Sequence, residues 1–178
     1  MRILVADAIE GVDVLREAGH DVVEEPGLGP DDLAEHLAGV EALVVRSTRV
    51  TAATIDAADD LALIVRAGAG TNTIDKDAAA ARGIYVCNTP GRNAIAVAEL
   101  ALGLILAIDR AIPDNVADLR AGRWDKKRYA QARGLAGRSL GIVGCGDIGL
   151  ALAARAAACE MVVRAVDKPD RDEATTAR

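Results

Sequence analysis

The sequence predicts an α/β protein in which a parallel sheet is followed by the opening of a second strand–helix unit. Three observations carry this. Short apolar, β-branched runs alternate with helical patterns from the first residues onward. Single helical segments separate successive strands, which calls for parallel pairing through right-handed crossovers. Late in the chain, LGIVGCGDIG (140–149) joins an apolar strand to a helix through three glycines.

The elements follow in order. RILVAD (2–7) reads as a buried strand. IEGVDVLREAG (9–19) sets Val12 and Leu15 on one helical face and stops at Gly19. DVVEE (21–25) is a second strand. PDDLAEHLAGV (30–40) opens with Pro30 and two acids and spaces Leu33 and Leu37 four apart, which predicts a helix. ALVVRS (42–47) is a strand, TAATIDAA (51–58) a helix, LALIVRAG (61–68) a strand, DKDAAAARG (75–83) a helix and IYVCN (84–88) a fifth strand. At TPG (89–91) the alternation breaks, and a domain boundary is expected near Gly91. A long apolar helix over about 94–111 and a shorter one over about 114–121 come next. RSLGIVG (138–144), DIGLALAARAAACE (147–160) and MVVRAVD (161–167) then read as strand, helix and strand.

Composition bounds the function. The 178 residues are 51% hydrophobic, enough for a packed core, yet hold no Phe, one Trp and two Tyr. The core must be aliphatic, and no aromatic platform for stacking bases exists. With a net charge of −6, a nucleic-acid partner is not expected. The longest apolar run, LALGLILAI (100–108), is about half a membrane span, so no membrane partner is expected either. The apolar run at the N-terminus is too short for a signal peptide, and Asp7 interrupts it. Cys87, Cys145 and Cys159 lack metal-ligand spacing and read as reduced thiols of a cytoplasmic protein, with no metal site.

The glycine-rich turn is the strongest chemical signal. Gly144 allows a tight bend, Gly146 lets backbone approach a pyrophosphate, and Gly149 lets the helix pack closely on the strand. The helix-start amides, those of Asp147 and Ile148 included, would then hold the diphosphate with the helix dipole. Asp167 stands 18 residues beyond Gly149, where an acid can accept hydrogen bonds from the adenosine ribose. A carboxylate there would repel a 2′-phosphate and favour NAD over NADP, although Arg164 and Lys168 lie nearby. A glycine turn in an unrelated α/β protein is the competing reading. A methyltransferase turn fits less well, because Val143 occupies the place where an acid is usual.

Five segments together resemble the D-isomer-specific 2-hydroxyacid dehydrogenases, most closely their phosphoglycerate dehydrogenase branch. They are ALVVRSTRVT (42–51), RAGAGTNTID (66–75), NTPGRNAIAVAEL (88–100), LRAGRW (119–124) and GRSLGIVGCGDIG (137–149). The resemblance implies a flavodoxin-like, parallel-sheet substrate-binding domain over 1–91. It further implies the first part of a Rossmann NAD-binding domain over 92–178, truncated relative to the family. It places Arg46 and Ser47 at the anionic end of a small phosphorylated 2-hydroxy acid, where a fork of N–H donors suits phosphate or carboxylate. The Gly68, Ala69 and Gly70 amides would approach a substrate carboxylate, although an ordinary strand-to-helix turn reads equally well from these residues. Asn93 matches a substrate-contacting position and could equally be a helix N-cap. Arg92 stands where the family usually has a small residue and Ala96 where a Ser is common, so either a second cation or a crowded cleft results.

The family's catalytic His, Glu and Arg lie downstream of residue 178, so no catalytic residue is assigned within the chain. His20 and His36 are expected to be solvated. The helix over 94–111 is apolar on nearly all sides, with Glu99 its sole charge before Asp109, and is expected to form a homodimer interface. A catalytically silent NAD-binding and dimerisation module is the alternative class.

Overall fold

The computed structural model describes residues 1–166, which divide into two compact units, Met1–Arg92 and the chain from Asn93 onward. The first unit is built on a five-stranded, wholly parallel sheet of order β2-β1-β3-β4-β5. Its strands are β1 (Arg2–Val5), β2 (Asp21–Glu24), β3 (Ala42–Val45), β4 (Leu63–Arg66) and β5 (Tyr85–Asn88). Three helices join them: α1 (Asp13–Glu17), α2 (Ala52–Asp56) and α3 (Lys76–Ala81).

Apart from Arg2 and Arg66 at their ends, the central strands β1, β3 and β4 are apolar because both sheet faces are covered. Leu4 of β1 and Ala6 just past it join the larger core with Leu43, Val45 and Ile64, while Ile3 and Val5 join a second cluster with Val12 and Ala42. Each fully buried Leu or Ile contributes about 1.5–3 kcal/mol. The helices start on side-chain caps. The Thr51 hydroxyl accepts from the Thr54 amide at the head of α2, and the Asp75 carboxylate accepts from the Ala78 amide at the head of α3.

The segment 30–40 departs from its helical reading. Only a 3₁₀ turn forms, Leu33–His36, although Leu33 and Leu37 are both fully buried. The His36 ring places Nδ1 2.9 Å from the Asp32 carbonyl, the acceptor an α-helix would reserve for the His36 amide. The Glu35 amide donates to that same carbonyl in the tighter i→i+3 pattern.

The second unit contains α4 (Ala94–Asp109), α5 (Ile112–Arg120), α6 (Lys126–Tyr129), β6 (Ser139–Ile142), α7 (Asp147–Ala158) and β7 (Val162–Ala165). β6 and β7 pair in parallel, Ser139 opposite Val162. Ala98 of α4 and Ala156 of α7 are fully buried, and Glu99 accepts from Arg155 Nη2 at 2.9 Å between the same helices. Helix α4 stops earlier than its apolar pattern suggests. Ala111 adopts a left-handed conformation (φ 47°), and the Asn115 amide group donates to the carbonyls of Arg110 and Ala111, each at 3.1 Å. Pro113, without an N–H, sits in the first turn of α5, where no donor is needed.

Candidate functional site

Parallel strands bring the loops after β1, β3 and β4 to one edge of the first unit's sheet, the edge at which open α/β sheets hold ligands. There Asp7, just past β1, faces the residues just past β3. Its Oδ2 accepts from the backbone N–H groups of Arg46 (2.7 Å), Ser47 (3.1 Å) and Thr48 (3.2 Å), and its Oδ1 from the Ser47 hydroxyl (2.7 Å). Burial alone would raise the Asp7 pKa. The hydrogen bonds, led by the Arg46 amide and the Ser47 hydroxyl, outweigh it and lower the value from 3.8 to about 2.

This network changes what Ser47 can do. Its single hydroxyl proton is directed at Asp7, so toward a ligand it offers lone pairs rather than a donor. Arg46 is different: its side chain is exposed and forms no ion pair among the described residues. It borders an open depression of about 680 Å³ lined also by Ala8, Ile9, Glu10, Glu24, Pro26 and Ala67. The Glu24 charge is matched by Arg16, 2.5 Å away.

Arg66 closes β4 opposite Val45 in the register, one residue from Arg46. Its guanidinium lies directly over Gly68, so any side chain at Gly68 would displace it, and its Nε is buried without a hydrogen-bond partner. Within the expected amide cradle, the Gly68 N–H is turned back onto the Arg66 carbonyl (2.8 Å) and is therefore engaged. The N–H groups of Ala69 and Gly70 make no hydrogen bond among the described residues. Asn88 donates to the Ala69 carbonyl at 2.6 Å, and Thr89 N–H to that of Gly68 at 3.0 Å, which fixes the loop from the β5 side. A further bridge ties the loop after β3 to the one after β4: Val50 N–H donates to Thr73 and Asp75 N–H to Val50.

In the second unit the glycine-rich turn links β6 to α7. Gly144 has φ +100°, a conformation L side chains rarely adopt. Gly146 is the N-cap of α7 and a Cβ there would meet open space. Gly149 is buried against the Gly144 carbonyl, and a Cβ on it would overlap that oxygen and press on Ile142 Cγ2 at 3.3 Å. Asp147 and Ile148 form the first turn of α7. Asp167 lies outside the described residues. Asn93 precedes α4 with its side chain exposed and makes no capping hydrogen bond.

The two histidines of the first unit differ in their surroundings. His20 immediately precedes β2, at the opposite edge of the sheet from Arg46. His36 is not simply solvated, since both ring nitrogens are engaged, Nδ1 at the Asp32 carbonyl and Nε2 3.1 Å from Glu25 Oε2.

Sequence patterns did not indicate two features, the clamp at Asp7 and a network around Asp118. The Asp118 carboxylate takes Arg123 Nη2 and the Tyr129 hydroxyl, each at 2.6 Å, and Arg128 Nη1 at 3.2 Å, joining α5 to α6. The Tyr129 hydroxyl and then the Arg123 side chain lower the Asp118 pKa, while the same carboxylate raises that of Tyr129. The helical period says nothing of either, because the partners are separated by turns or by whole strands.

Set beside known proteins, the chain matches the D-isomer specific 2-hydroxyacid dehydrogenase, catalytic domain family over residues 3–175. It belongs to that family. The D-3-phosphoglycerate dehydrogenase of Archaeoglobus fulgidus is 41% identical over 170 residues, which are 94% of this chain and 32% of that protein. The hydroxypyruvate reductase of Thermotoga maritima is 45% identical over 148 residues, 82% of this chain and 48% of that protein. The chain therefore spans between about a third and a half of these relatives. Among solved structures, the TT0316 protein of Thermus thermophilus superposes with a TM-score of 0.86 at 35% identity, covering 95% of this chain and 58% of that one. The NAD+-bound 3-phosphoglycerate dehydrogenase of Entamoeba histolytica gives a TM-score of 0.78 at 30% identity, covering 97% and 56%.

Proposed function

We propose that the first unit binds the substrate, and the second begins the NAD-binding part, of an oxidoreductase of the D-3-phosphoglycerate dehydrogenase type. Its reaction would be 3-phosphoglycerate to 3-phosphohydroxypyruvate. The observation that supports this most is the exposed guanidinium of Arg46, without an ion pair among the described residues, bordering the depression at the ligand edge of a parallel sheet. A fork of N–H donors suits an oxyanion, and phosphate more than a lone hydroxyl. The unengaged Ala69 and Gly70 amides would take the carboxylate.

The residues of the second unit fit NAD. A turn that is left-handed at Gly144, open at Gly146 and closed against Gly149 keeps side chains off the N-terminal amides of α7. Those amides, from Gly146 to Ile148, would hold the diphosphate, and Asp167 the adenosine ribose. Bound NAD would supply the hydride acceptor for the substrate carbon bearing the hydroxyl. The protein's part is to orient that carbon, to hold its anionic ends and to exclude a 2′-phosphate. We also assign the exposed face of α4 to a homodimer interface, and the free cysteines suit a reducing cytoplasm.

A second reading, a dehydrogenase for another D-2-hydroxy acid, draws on the 45% identity to a hydroxypyruvate reductase. Titration with 3-phosphoglycerate and with D-glycerate separates the two. The phosphorylated acid should bind about tenfold or more tightly, and Arg46→Ala should remove most of that difference. Equal affinities would favour the second reading.

A further inference from the structure

We propose that Asp7 is a positioning residue of the anion site: its carboxylate clamps residues 46–48 and so presents the Arg46 side chain to the depression. The inference rests on the reading of Arg46 as an anion ligand. Three consecutive backbone N–H groups converge on one Asp7 oxygen, and the Ser47 hydroxyl closes on the other. Such a run of amides is ordinarily a concavity for a bound anion. Here it is filled from within the protein.

Two consequences follow. A substrate oxyanion cannot use these amides or the Ser47 proton, so among residues 46–48 the Arg46 guanidinium is the donor left for it. The backbone from which that guanidinium springs is fixed, whereas an arginine on a free loop would lose far more conformational freedom on binding. Asp7 comes from β1 and Arg46 from β3, neighbouring strands in the sheet, so the clamp also transmits the rigidity of the core to the loop. The Val50–Ile74 bridge secures the far side of the same segment.

The test is a double-mutant cycle read as the dissociation constant for 3-phosphoglycerate, with folding checked by thermal unfolding at neutral pH. Arg46→Ala alone should weaken binding. Asp7→Asn should weaken it by about tenfold, the scale of losing a charge-assisted arrangement. In the Arg46→Ala background, Asp7→Asn should have no further effect, because Asp7 acts through Arg46. Ser47→Ala, which removes the hydroxyl donor but keeps the backbone N–H donors to Asp7, should show the same dependence on Arg46 at about two- to threefold. An Asp7→Asn effect of equal size with and without Arg46 would overturn the inference, as would unchanged binding in Asp7→Asn where Arg46→Ala binds weakly. If Arg46→Ala itself leaves binding intact, the anion-site reading fails first and takes this inference with it.

Discussion

The backbone of Gly149 lies so close to the carbonyl oxygen of Gly144 that no methyl group fits between them. Helix α7 therefore starts in direct contact with the turn that feeds it. Gly149→Ala must push the turn or the helix aside, at about 1–3 kcal/mol of stability. Gly146→Ala makes the informative contrast. Its Cβ would point into open space and its φ of −81° suits any residue, so stability should stay within about 0.5 kcal/mol. The same methyl would stand where a diphosphate approaches, and NAD affinity should fall. Thermal unfolding and NAD titration on the two variants decide this, and undiminished NAD binding by Gly146→Ala would remove the turn from the cofactor site.

Acid should unfold the protein partly through Asp7. Its carboxyl is held at about 2 in the native state against an ordinary 3.8, because four hydrogen bonds to the ionised form outweigh the cost of burial. A depressed native pKa contributes stability that is present above the unfolded value and lost as pH falls through the native one. The window is therefore about pH 4 down to 2. The full shift would correspond to about 2 kcal/mol, and partial exposure of the group reduces this to roughly 1–2 kcal/mol. Chemical denaturation of the unmodified protein and Asp7→Asn across that range should show the difference between them shrinking as pH falls. A constant difference would mean that the charge of Asp7 is not what the loop requires.

The regular parts of the first unit were legible because alternation of strand and helix signals is local. Leu4, Leu43 and Ile64 lie in unbroken apolar runs, and a strand covered on both faces leaves such a run. What failed was decided by side chains competing for backbone. His36 takes the Asp32 carbonyl and turns a helical pattern into a 3₁₀ turn, and Asn115 caps the end of α4 early. The short α6 has no apolar period to betray it and depends on the Asp125 cap and on Asp118 eleven residues before Tyr129. The partners of Asp7 are about forty residues away, just past another strand. The only trace in the sequence is an acid where a buried strand ends.

Helix α4 should dimerise the protein. Ile95, Leu100, Leu104 and Ile108 are 61%, 62%, 54% and 80% exposed, and the last three recur every four residues along one face. Gly103 beside them would meet nothing if it carried a Cβ, so packing within the chain does not account for a glycine there. Burying a row of this kind contributes about 1.5–3 kcal/mol per side chain at most. Light scattering at micromolar concentration should give twice the chain mass, and Leu100→Glu with Leu104→Glu should halve it while helicity persists. A monomeric unmodified protein would leave the exposed row unexplained and the interface assignment wrong.

The 178 residues by themselves should form no NADH from 3-phosphoglycerate. Oxidising a hydroxyl leaves a proton to be removed, and a base within hydrogen-bond reach typically contributes a factor of about 10²–10⁴. Neither histidine can serve. His20 lies at the opposite edge of the sheet from Arg46, and both ring nitrogens of His36 are engaged by Asp32 and Glu25. Asp7 is no substitute, since its oxygens already accept four hydrogen bonds and its carboxyl is held near 2, far too weak a base at neutral pH. Binding and turnover should therefore separate: 3-phosphoglycerate should bind through Arg46 while absorbance at the NADH wavelength stays flat. Steady NADH production by the purified 178-residue chain, abolished by Arg46→Ala, would show that the chain supplies a base of its own and would overturn the prediction.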